Sequence, residues 1–324
     1  MKPKKILRGI LIVIIELNAD ENDIRIDSFL AKKYENFSRA YFAKLLQDEK
    51  ILYNGRLCKP SMKISSGSLI RIDFPEIEES RTKPEDIDIE IVYEDEWLAV
   101  INKPQGMVVH PAAGHKGGTL VNALLHRYKG ELSDINGVIR PGIVHRIDKD
   151  TSGLILVVKQ NTIHKEIAEL IRKHEIKRTY LAIVNGIIDE KTGTIDASIG
   201  RSIENRLKNS VMKDGKQAIS HFKVLERFQN MTYVEIDLET GRTHQIRVHF
   251  SYIRHPVLGD SLYGGQRKAY PTNGQLLHAY KLEFTHPVTN RIVVVKAPAP
   301  EHFEKILMQL RKEKNASVKQ DKGN

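Results

Sequence analysis

The sequence predicts an α+β protein with a small N-terminal domain and a larger domain built on a mixed sheet. Its 324 residues are 40% apolar and 28% charged, which is typical of a globular protein large enough for one large core and one small core. Over residues 89–310, strand patterns mix with a few helical patterns and do not alternate with them regularly. This order disfavours a doubly wound parallel sheet and favours the α+β class.

The charge of the chain indicates its partners rather than its fold. The sequence has 51 Lys and Arg residues against 41 Asp and Glu residues, a net charge of +10. Such an excess favours nucleic acid or another anionic surface, although a charge that only keeps the protein soluble is the alternative. The single cysteine, Cys58, excludes a disulfide framework and any metal cage made of several cysteines.

The N-terminus carries an apolar run, residues 10–15, after four basic residues. The run is far shorter than the about 20 residues that a membrane span needs, and no small-residue cleavage site of a signal peptide follows it. Its β-branched residues predict a strand. We therefore expect no export, no membrane partner and a cytoplasmic protein.

Residues 1–75 form the predicted N-terminal domain. Apolar spacing predicts a helix over residues 27–34 and a second helix that begins after the N-cap Ser38. The pair Asn54-Gly55 between two short apolar runs predicts a β-hairpin, and residues 67–72 alternate as a last strand.

Charge is distributed unevenly along the chain. Residues 24–75 hold ten basic and five acidic residues, a net charge of +5 that is half the charge of the whole protein. Residues 76–88 reverse the sign and have almost no apolar content, which predicts an acidic linker. Residues 311–324 are mostly Lys, Asn, Gln, Ser and Gly, and predict a disordered basic tail beyond the large domain.

The large domain has its candidate chemistry next to a buried strand. Its predicted elements are a strand pair at 89–93 and 98–102, a buried strand at 153–158, a helix at 163–171 and a strand at 180–184. The segment just before the buried strand is rich in turn-forming residues, which leaves Asp148 on a loop at the end of a sheet, where catalytic groups are often displayed. Taken alone, Asp148 and Asp150 fit a metal site, a pair of glycosidase carboxylates or an Asx turn without chemistry.

A second candidate segment covers residues 238–250. Thr243 is the predicted cap of a helix whose apolar positions 246, 250 and 253 face the core. Arg247 lies off that apolar stripe and is free to meet a carboxylate. His244 and His249 are five residues apart rather than the four that stack two ligands on one helix face, which disfavours a metal site.

Together these segments resemble the RluA-type RNA pseudouridine synthases. Residues 145–153 are similar to the catalytic motif of that family, with Ile147 where the family usually has Leu. Residues 24–75, which follow the predicted N-terminal strand, are similar to the alpha-L RNA-binding module of ribosomal protein S-four. The likeness spans roughly residues 15 to 310, and the further matching segments, in the order of the family, are 103–111 with 122–125, 177–182, 241–249 with its extension 255–264, 277–279 and 284–287.

The resemblance implies a mixed-sheet pseudouridine synthase catalytic domain that isomerises uridine in RNA. It implies that Asp148 is the catalytic carboxylate and that Arg247 is its partner. Tyr180 matches the active-site tyrosine that stacks on the target base and helps to remove its proton. Arg146 matches the arginine that occupies the space left by the flipped base, with phosphate binding as the alternative. Neither a cofactor nor a metal nor a bound nucleotide is implied, since the isomerisation needs no redox group.

The resemblance also implies how RNA is recognised. It implies RNA docking of the alpha-L module through Arg39, Lys44, Arg56 and Lys59. The likeness to members that act on large-subunit ribosomal RNA makes that RNA, or a pre-ribosomal particle, the expected substrate. The alternatives are the same reaction on transfer RNA, and an RNA-binding ribosome-assembly factor that does not depend on catalysis.

Overall fold

The structure is a computed structural model that describes residues 4–7, 10–34, 37, 39–74, 82–111, 115, 117–129, 131–133, 141–202, 204–205 and 207–321. The chain divides into two compact units. Unit 1 comprises residues 1–83 with 133–141, and unit 2 comprises residues 84–132 with 142–324. In the described part of the chain, no helix is long and apolar enough to cross a membrane.

Unit 1 is an antiparallel sheet with two helices. Its elements are β1 (Lys4–Leu7), β2 (Ile10–Asn18), α1 (Ile26–Lys33), α2 (Arg39–Gln47), β3 (Ile51–Tyr53), β4 (Arg56–Leu57) and β5 (Leu69–Phe74). The strand order is β1-β2-β5-β3-β4. The predicted helices, hairpin and strands of this region are confirmed, while the predicted cap Ser38 lies outside the described residues. Asn54 and Gly55 both have positive φ, 48° and 74°, as the predicted hairpin turn requires.

Unit 2 is a mixed sheet with helices packed on it, which confirms the predicted fold class. Its elements are β6 (Glu90–Glu94), β7 (Leu98–Lys103), α3 (Leu120–Tyr128), β8 (Ser152–Val158), α4 (Asn161–Arg172), β9 (Lys177–Asn185), β10 (Thr192–Asp196), β11 (Ile199–Arg201), β12 (Asn209–Val211), β13 (Ile219–Arg227), β14 (Met231–Leu238), α5 (Gln245–Tyr252), β15 (Leu277–Thr285), β16 (Ile292–Lys296) and α6 (Glu301–Asp321). The main sheet has the order β10-β13-β14-β9-β15-β8-β7-β6, with β16 paired to β15. Strands β8 and β15 run parallel, and the other neighbouring strands of this sheet are antiparallel.

The apolar run of β8 is explained by the helices that cover both faces of the sheet at this strand. All seven residues of β8 are buried. Leu154 and Leu156 join the core that contains α4, whereas Ile155 and Val157 join the core that contains α3. Because successive side chains of a strand point to opposite faces, a strand between two helices needs apolar residues at every position.

Gly153 allows β8 to approach β15 closely. Its φ is 107°, and a Cβ at this position would lie 2.3 Å from the carbonyl oxygen of Ala279. Only glycine adopts this conformation and leaves room for the neighbouring backbone. The last residue of the predicted catalytic motif is therefore a packing requirement.

The predicted disorder of residues 311–324 is wrong for the described part of that range. Helix α6 continues to Asp321, and residues 301–321 contain neither Gly nor Pro to end it. The first half of α6 is anchored in a core by Phe303, Leu307 and Leu310. Its second half is tied by Arg311 and Lys314, which both pair with Glu226. A polar segment can stay helical when it continues a helix that is already packed on the protein, as the second half of α6 does.

Gly153→Ala should lower the free energy of unfolding of unit 2 by more than about 2 kcal/mol, because the new methyl group meets the backbone of β15. Gly264→Ala is the matched control: Gly264 also has positive φ, 88°, but open space around it. It should carry only the backbone cost, about 1 to 2 kcal/mol. Urea unfolding, monitored by the fluorescence of the single tryptophan, Trp97, measures the free energy of unfolding of unit 2 in both variants. Equal losses would contradict the close approach of the two strands.

Candidate active site

Three separate segments of unit 2 meet at one cleft. The loop before β8 carries Asp148, β9 carries Tyr180 and α5 carries Arg247. Arg146 and His244 also line the cleft. The empty space is about 350 Å³, part of it open to solvent. The structure thus brings together the residues for which the sequence predicts a role in catalysis.

Arg247 lies between two carboxylates. Its Nη1 donates a hydrogen bond of 2.8 Å to Asp148 Oδ2. Its Nε and Nη2 donate to the two carboxylate oxygens of Asp260, at 2.7 and 3.0 Å. This bidentate contact defines the plane of the guanidinium and leaves Nη1 aimed at Asp148. Arg247 and Asp260 are both buried, so the pair is shielded from water.

The charge of Arg247 is secured by its two partners. Burial alone would lower the pKa of the guanidinium, but the hydrogen bonds to Asp260 and the charge of Asp148 raise that pKa above its ordinary value. Arg247 therefore remains a cation throughout the neutral range, and Asp148 always faces a positive charge. Leu262 N and Tyr263 N also donate to Asp260 Oδ1, which holds the second carboxylate in place.

The loop that carries Asp148 is hydrogen-bonded to a buried lysine. Lys103 has no exposed surface, and its ammonium donates to the carbonyl oxygens of Pro104, Met107 and Lys149 at 2.8, 2.9 and 3.0 Å. Burial lowers the pKa of Lys103 to about 7, against the opposing charges of Asp150 and Asp148. These three bonds hold residues 104–107 against the backbone just after Asp148.

Tyr180 forms the apolar wall of the cleft. It is buried in the core that also holds Ile147, so an Ile at that position packs as a Leu would. Burial raises the pKa of the Tyr180 phenol, opposed by Arg178 and assisted by Asp148. The side chain is therefore a neutral phenol at neutral pH, and it lines the same cleft as Asp148.

The structure disfavours the other uses of these residues. Asp150 is not among the residues that line the cleft, so a glycosidase would lack its second carboxylate there. The ring of His249 is occupied by Ser220 Oγ and the Ala197 carbonyl. Within the described residues, no group of three or more His, Cys, Asp or Glu side chains is placed to hold a metal ion.

His244 and Asp260 are site residues that the sequence did not predict. His244, not Thr243, precedes the first turn of α5; it has φ of 60° and makes no side-chain capping bond, so the predicted Thr243 cap is wrong. This conformation places His244 Nε2 3.9 Å from Asp148 Oδ1. Asp260 lies in the extension of the second motif. The sequence signal that could have identified it is a charged residue two positions after the apolar pair Val257 and Leu258.

The predicted RNA-binding residues occupy exposed positions. Arg146 is exposed at the cleft, with Nη1 3.4 Å from His110 Nε2. In unit 1, Lys44, Arg56 and Lys59 are exposed. Arg39 is partly engaged, because its Nε donates to the buried carboxylate of Asp27 at 3.1 Å.

Comparisons with known proteins identify the family. Residues 97–252 match a family model described as RNA pseudouridylate synthase. The chain is 47% identical to an uncharacterized RNA pseudouridine synthase of Bacillus subtilis over 298 residues, which cover 92% of this chain and 98% of that protein. This chain belongs to the RluA-type RNA pseudouridine synthase family. It is an isomerase that converts uridine to pseudouridine in RNA.

Two further relatives agree with this assignment. Ribosomal large subunit pseudouridine synthase D of Pseudomonas aeruginosa is 41% identical over 306 residues, 91% of this chain and 94% of that protein. The solved structure of human RNA pseudouridylate synthase domain containing 1 has a TM-score of 0.55 and 28% identity, and covers 67% of this chain and 85% of that one. The match to the family model includes Asp148, Tyr180 and Arg247 of this synthase.

The stability of unit 2 should fall below pH 6.5 because of His145. Part of this residue contacts solvent, but the protein around its ring lowers the pKa of the imidazole to about 3, assisted by Arg178, and Leu156 N donates to Nε2. Between pH 6.5 and about 3, the imidazole of His145 is protonated in the unfolded chain and neutral in the folded protein. The free energy of unfolding should drop by up to about 1.4 kcal/mol per pH unit from this group.

His145→Gln keeps an acceptor for Leu156 N and removes the titrating ring. Urea unfolding between pH 4 and 6.5, followed by Trp97 fluorescence, should give the variant a shallower dependence on pH than the wild type. Identical slopes would contradict a neutral His145 in the folded protein.

Proposed function

We propose that this synthase isomerises specific uridines of large-subunit ribosomal RNA and that Asp148 is its catalytic carboxylate. The observation that carries the proposal is the position of Asp148 in a cleft beside Tyr180, held there by Arg247, which Asp260 orients in turn. A carboxylate with a permanent cationic partner, in a cleft that is open to solvent, suits a reaction at one ribose of an extruded nucleotide.

The reaction exchanges one bond to the ribose for another. The bond from C1′ to N1 of uracil breaks, the detached base turns, and C5 of the base forms the new bond to C1′. The C5 proton leaves and N1 takes up a proton, so the number of protons is unchanged. No electron is lost or gained overall. Asp148 acts either by attack on C1′ or by removal of a ribose proton, and both routes need a carboxylate with an oxygen directed toward the sugar. Because Oδ2 is bound by Arg247, Oδ1 is the oxygen that we assign to the substrate, with His244 Nε2 beside it at 3.9 Å.

The rest of the cleft is suited to the base. Tyr180 presents a buried ring against which uracil stacks, and its neutral hydroxyl takes part in removing the C5 proton as a relay, by passing its own phenolic proton on to a base as it takes up the proton from C5. A uridine inside a folded RNA must leave its stack, which costs a few kcal/mol. Arg146, exposed at the same cleft, has a planar guanidinium that suits the position vacated by the base.

The choice of RNA is supported by the relatives and by unit 1. Relatives from Pseudomonas aeruginosa and Zymomonas mobilis carry the name ribosomal large subunit pseudouridine synthase D. The exposed cations Lys44, Arg56 and Lys59 give unit 1 a surface for RNA phosphates. We place the reaction on ribosomal RNA or a pre-ribosomal particle, and therefore in the cytoplasm.

Asp148→Asn should abolish the reaction without abolishing RNA binding. The assay uses large-subunit RNA with tritium at C5 of uracil and follows its release, in parallel with RNA affinity. We expect release to slow by on the order of 10³-fold or more, with affinity within about threefold of the wild type. Asp189→Asn, an exposed carboxylate, is the matched control and should release tritium at the wild-type rate.

Two results would contradict this assignment. Full release by Asp148→Asn would remove Asp148 from catalysis. RNA binding by the wild type without release, on both naked RNA and pre-ribosomal particles, would favour the ribosome-assembly factor instead.

Removing three charges of unit 1 should weaken ribosomal RNA binding. In the triple variant Lys44→Gln, Arg56→Gln and Lys59→Gln, affinity should fall by on the order of 10-fold, and the slope of log affinity against log salt should shrink by about one for each phosphate that is no longer neutralised. The charge-matched control changes the exposed Lys173, Lys191 and Lys312 to Gln. A transfer RNA stem-loop should be less affected than ribosomal RNA; an equal loss on both would contradict a role of unit 1 in choosing the substrate.

A further inference from the structure

Strands β11 and β12 form a separate two-stranded hairpin in unit 2 that carries positive charge. Arg201, Lys213 and Lys216 are exposed on the hairpin or directly after it. Leu207, between the two strands, is 77% exposed, an unusual position for a large apolar side chain. Cations around an exposed apolar side chain fit a single strand of RNA, which offers phosphates and the faces of its bases.

A groove lies between this hairpin and residues 241–243. It is lined on the hairpin side by Arg201 and Lys216 and on the other side by Arg242, with Asp214 as its acidic residue. Arg242 lines the cleft of Asp148 as well, so the groove and the cleft adjoin each other at that residue. The RNA strand next to a uridine in the cleft would therefore pass through this groove.

The base of the hairpin is hydrogen-bonded to the residues around Asp148. Asn209 N donates to the hydroxyl oxygen of Tyr263 at 2.9 Å, and Asn209 Nδ2 donates to the Thr243 carbonyl at 3.0 Å. The Tyr263 hydroxyl and His244 Nδ1 are 2.9 Å apart. His244 Nε2 in turn faces Asp148 Oδ1 at 3.9 Å. A chain of polar contacts thus leads from the hairpin to the catalytic carboxylate.

The direction of these hydrogen bonds follows from their partners. The Tyr263 oxygen accepts from Asn209 N, so its own proton is available to His244 Nδ1. A lone pair on Nε2 would face a carboxylate and be repelled, which favours the tautomer with its proton on Nε2. Tyr263 therefore donates to His244, and His244 presents an N–H to Asp148.

The ring of Tyr263 makes a second connection between the same two regions. The guanidinium carbon of Arg247 lies 5.1 Å from the centre of the ring. Lys208 Nζ, from the hairpin, lies 6.0 Å from it. A shift of the hairpin would therefore disturb both the hydrogen bond to His244 and the packing against Arg247.

We propose that Tyr263 and His244 are positioning residues that couple the seating of RNA on the β11–β12 hairpin to the orientation of Asp148. The proposal rests on the proposed function. Its consequence is that a strand held in the groove stabilises the catalytic geometry, whereas an RNA that reaches the cleft without occupying the groove reacts slowly.

The first test separates turnover from binding. Tyr263→Phe removes the hydroxyl and keeps the ring, and we expect single-turnover tritium release to slow about 10-fold with RNA affinity unchanged within about twofold. His244→Asn breaks the next contact and retains a residue that tolerates positive φ, so it should show the same pattern. Tyr252→Phe, at the exposed end of α5, is the matched control and should behave as the wild type.

The second test is a double-mutant cycle. Arg201→Gln with Lys216→Gln should weaken RNA binding and also slow turnover, because an unseated strand no longer orders Asp148. In the Tyr263→Phe background the same pair should weaken binding but slow turnover no further. Additive losses in turnover would overturn the coupling, as would a Tyr263→Phe variant with the wild-type rate.

The third test is the pH dependence of tritium release, which would not change if Tyr263 and His244 had only a structural role. Burial lowers the pKa of His244 below its ordinary value; the charges of Asp148 and Asp260 oppose this shift, and those of Arg247 and Arg146 assist it. Loss of the Tyr263 hydroxyl removes a donor to neutral Nδ1, so the acid limb of activity should move to higher pH. An unmoved limb would overturn the relay, while a wild type that releases no tritium from any RNA would contradict the proposed function itself.

Discussion

The active site depends on one guanidinium shared between two carboxylates. Arg247 is bound on one side by Asp260 through two hydrogen bonds and on the other by Asp148 through one. Charges removed from water are tolerated only when their geometry is good and their remaining hydrogen bonds are satisfied, and the loss of one partner leaves the others uncompensated. The three residues come from the loop before β8, from α5 and from the loop after α5, so the fold must hold all three segments in register.

The sheet and its loops supply that register. Strand β8 is buried on both faces and approaches β15 at Gly153, which leaves its preceding loop at a rigid edge of the sheet. Lys103 then directs its three donors to backbone carbonyls of the adjoining loops. These bonds restrain the backbone next to Asp148 and therefore the position of its carboxylate.

The start of α5 combines support and function. His244 occupies a left-handed conformation that few residues other than glycine adopt without cost, and its side chain makes no capping bond. That conformation places one ring nitrogen toward Asp148 and the other toward Tyr263. A conventional cap at this position would satisfy the helix terminus and leave the hairpin unconnected to Asp148.

Local pattern and motif order determined much of this protein from the sequence alone. Apolar periodicity and turn residues predicted the elements of unit 1, strand β8, helix α4 and the α+β class, because periods of two and 3.6 residues and the Asn-Gly turn are properties of neighbouring residues. The resemblance to a known family singled out Asp148, Tyr180 and Arg247. It did so without any information about their distances.

The tertiary structure alone decided how these residues are partnered. Asp148 and Arg247 are 99 residues apart, and nothing between them in the sequence specifies that Asp260 completes the pair. The sequence did not predict the burial of Lys103 or the continuation of α6 to Asp321 either, because each depends on contacts with residues that are distant in the sequence. A hydrogen bond or an ion pair forms where packing brings its two ends together and excludes water, and that condition belongs to the folded chain rather than to any stretch of its sequence.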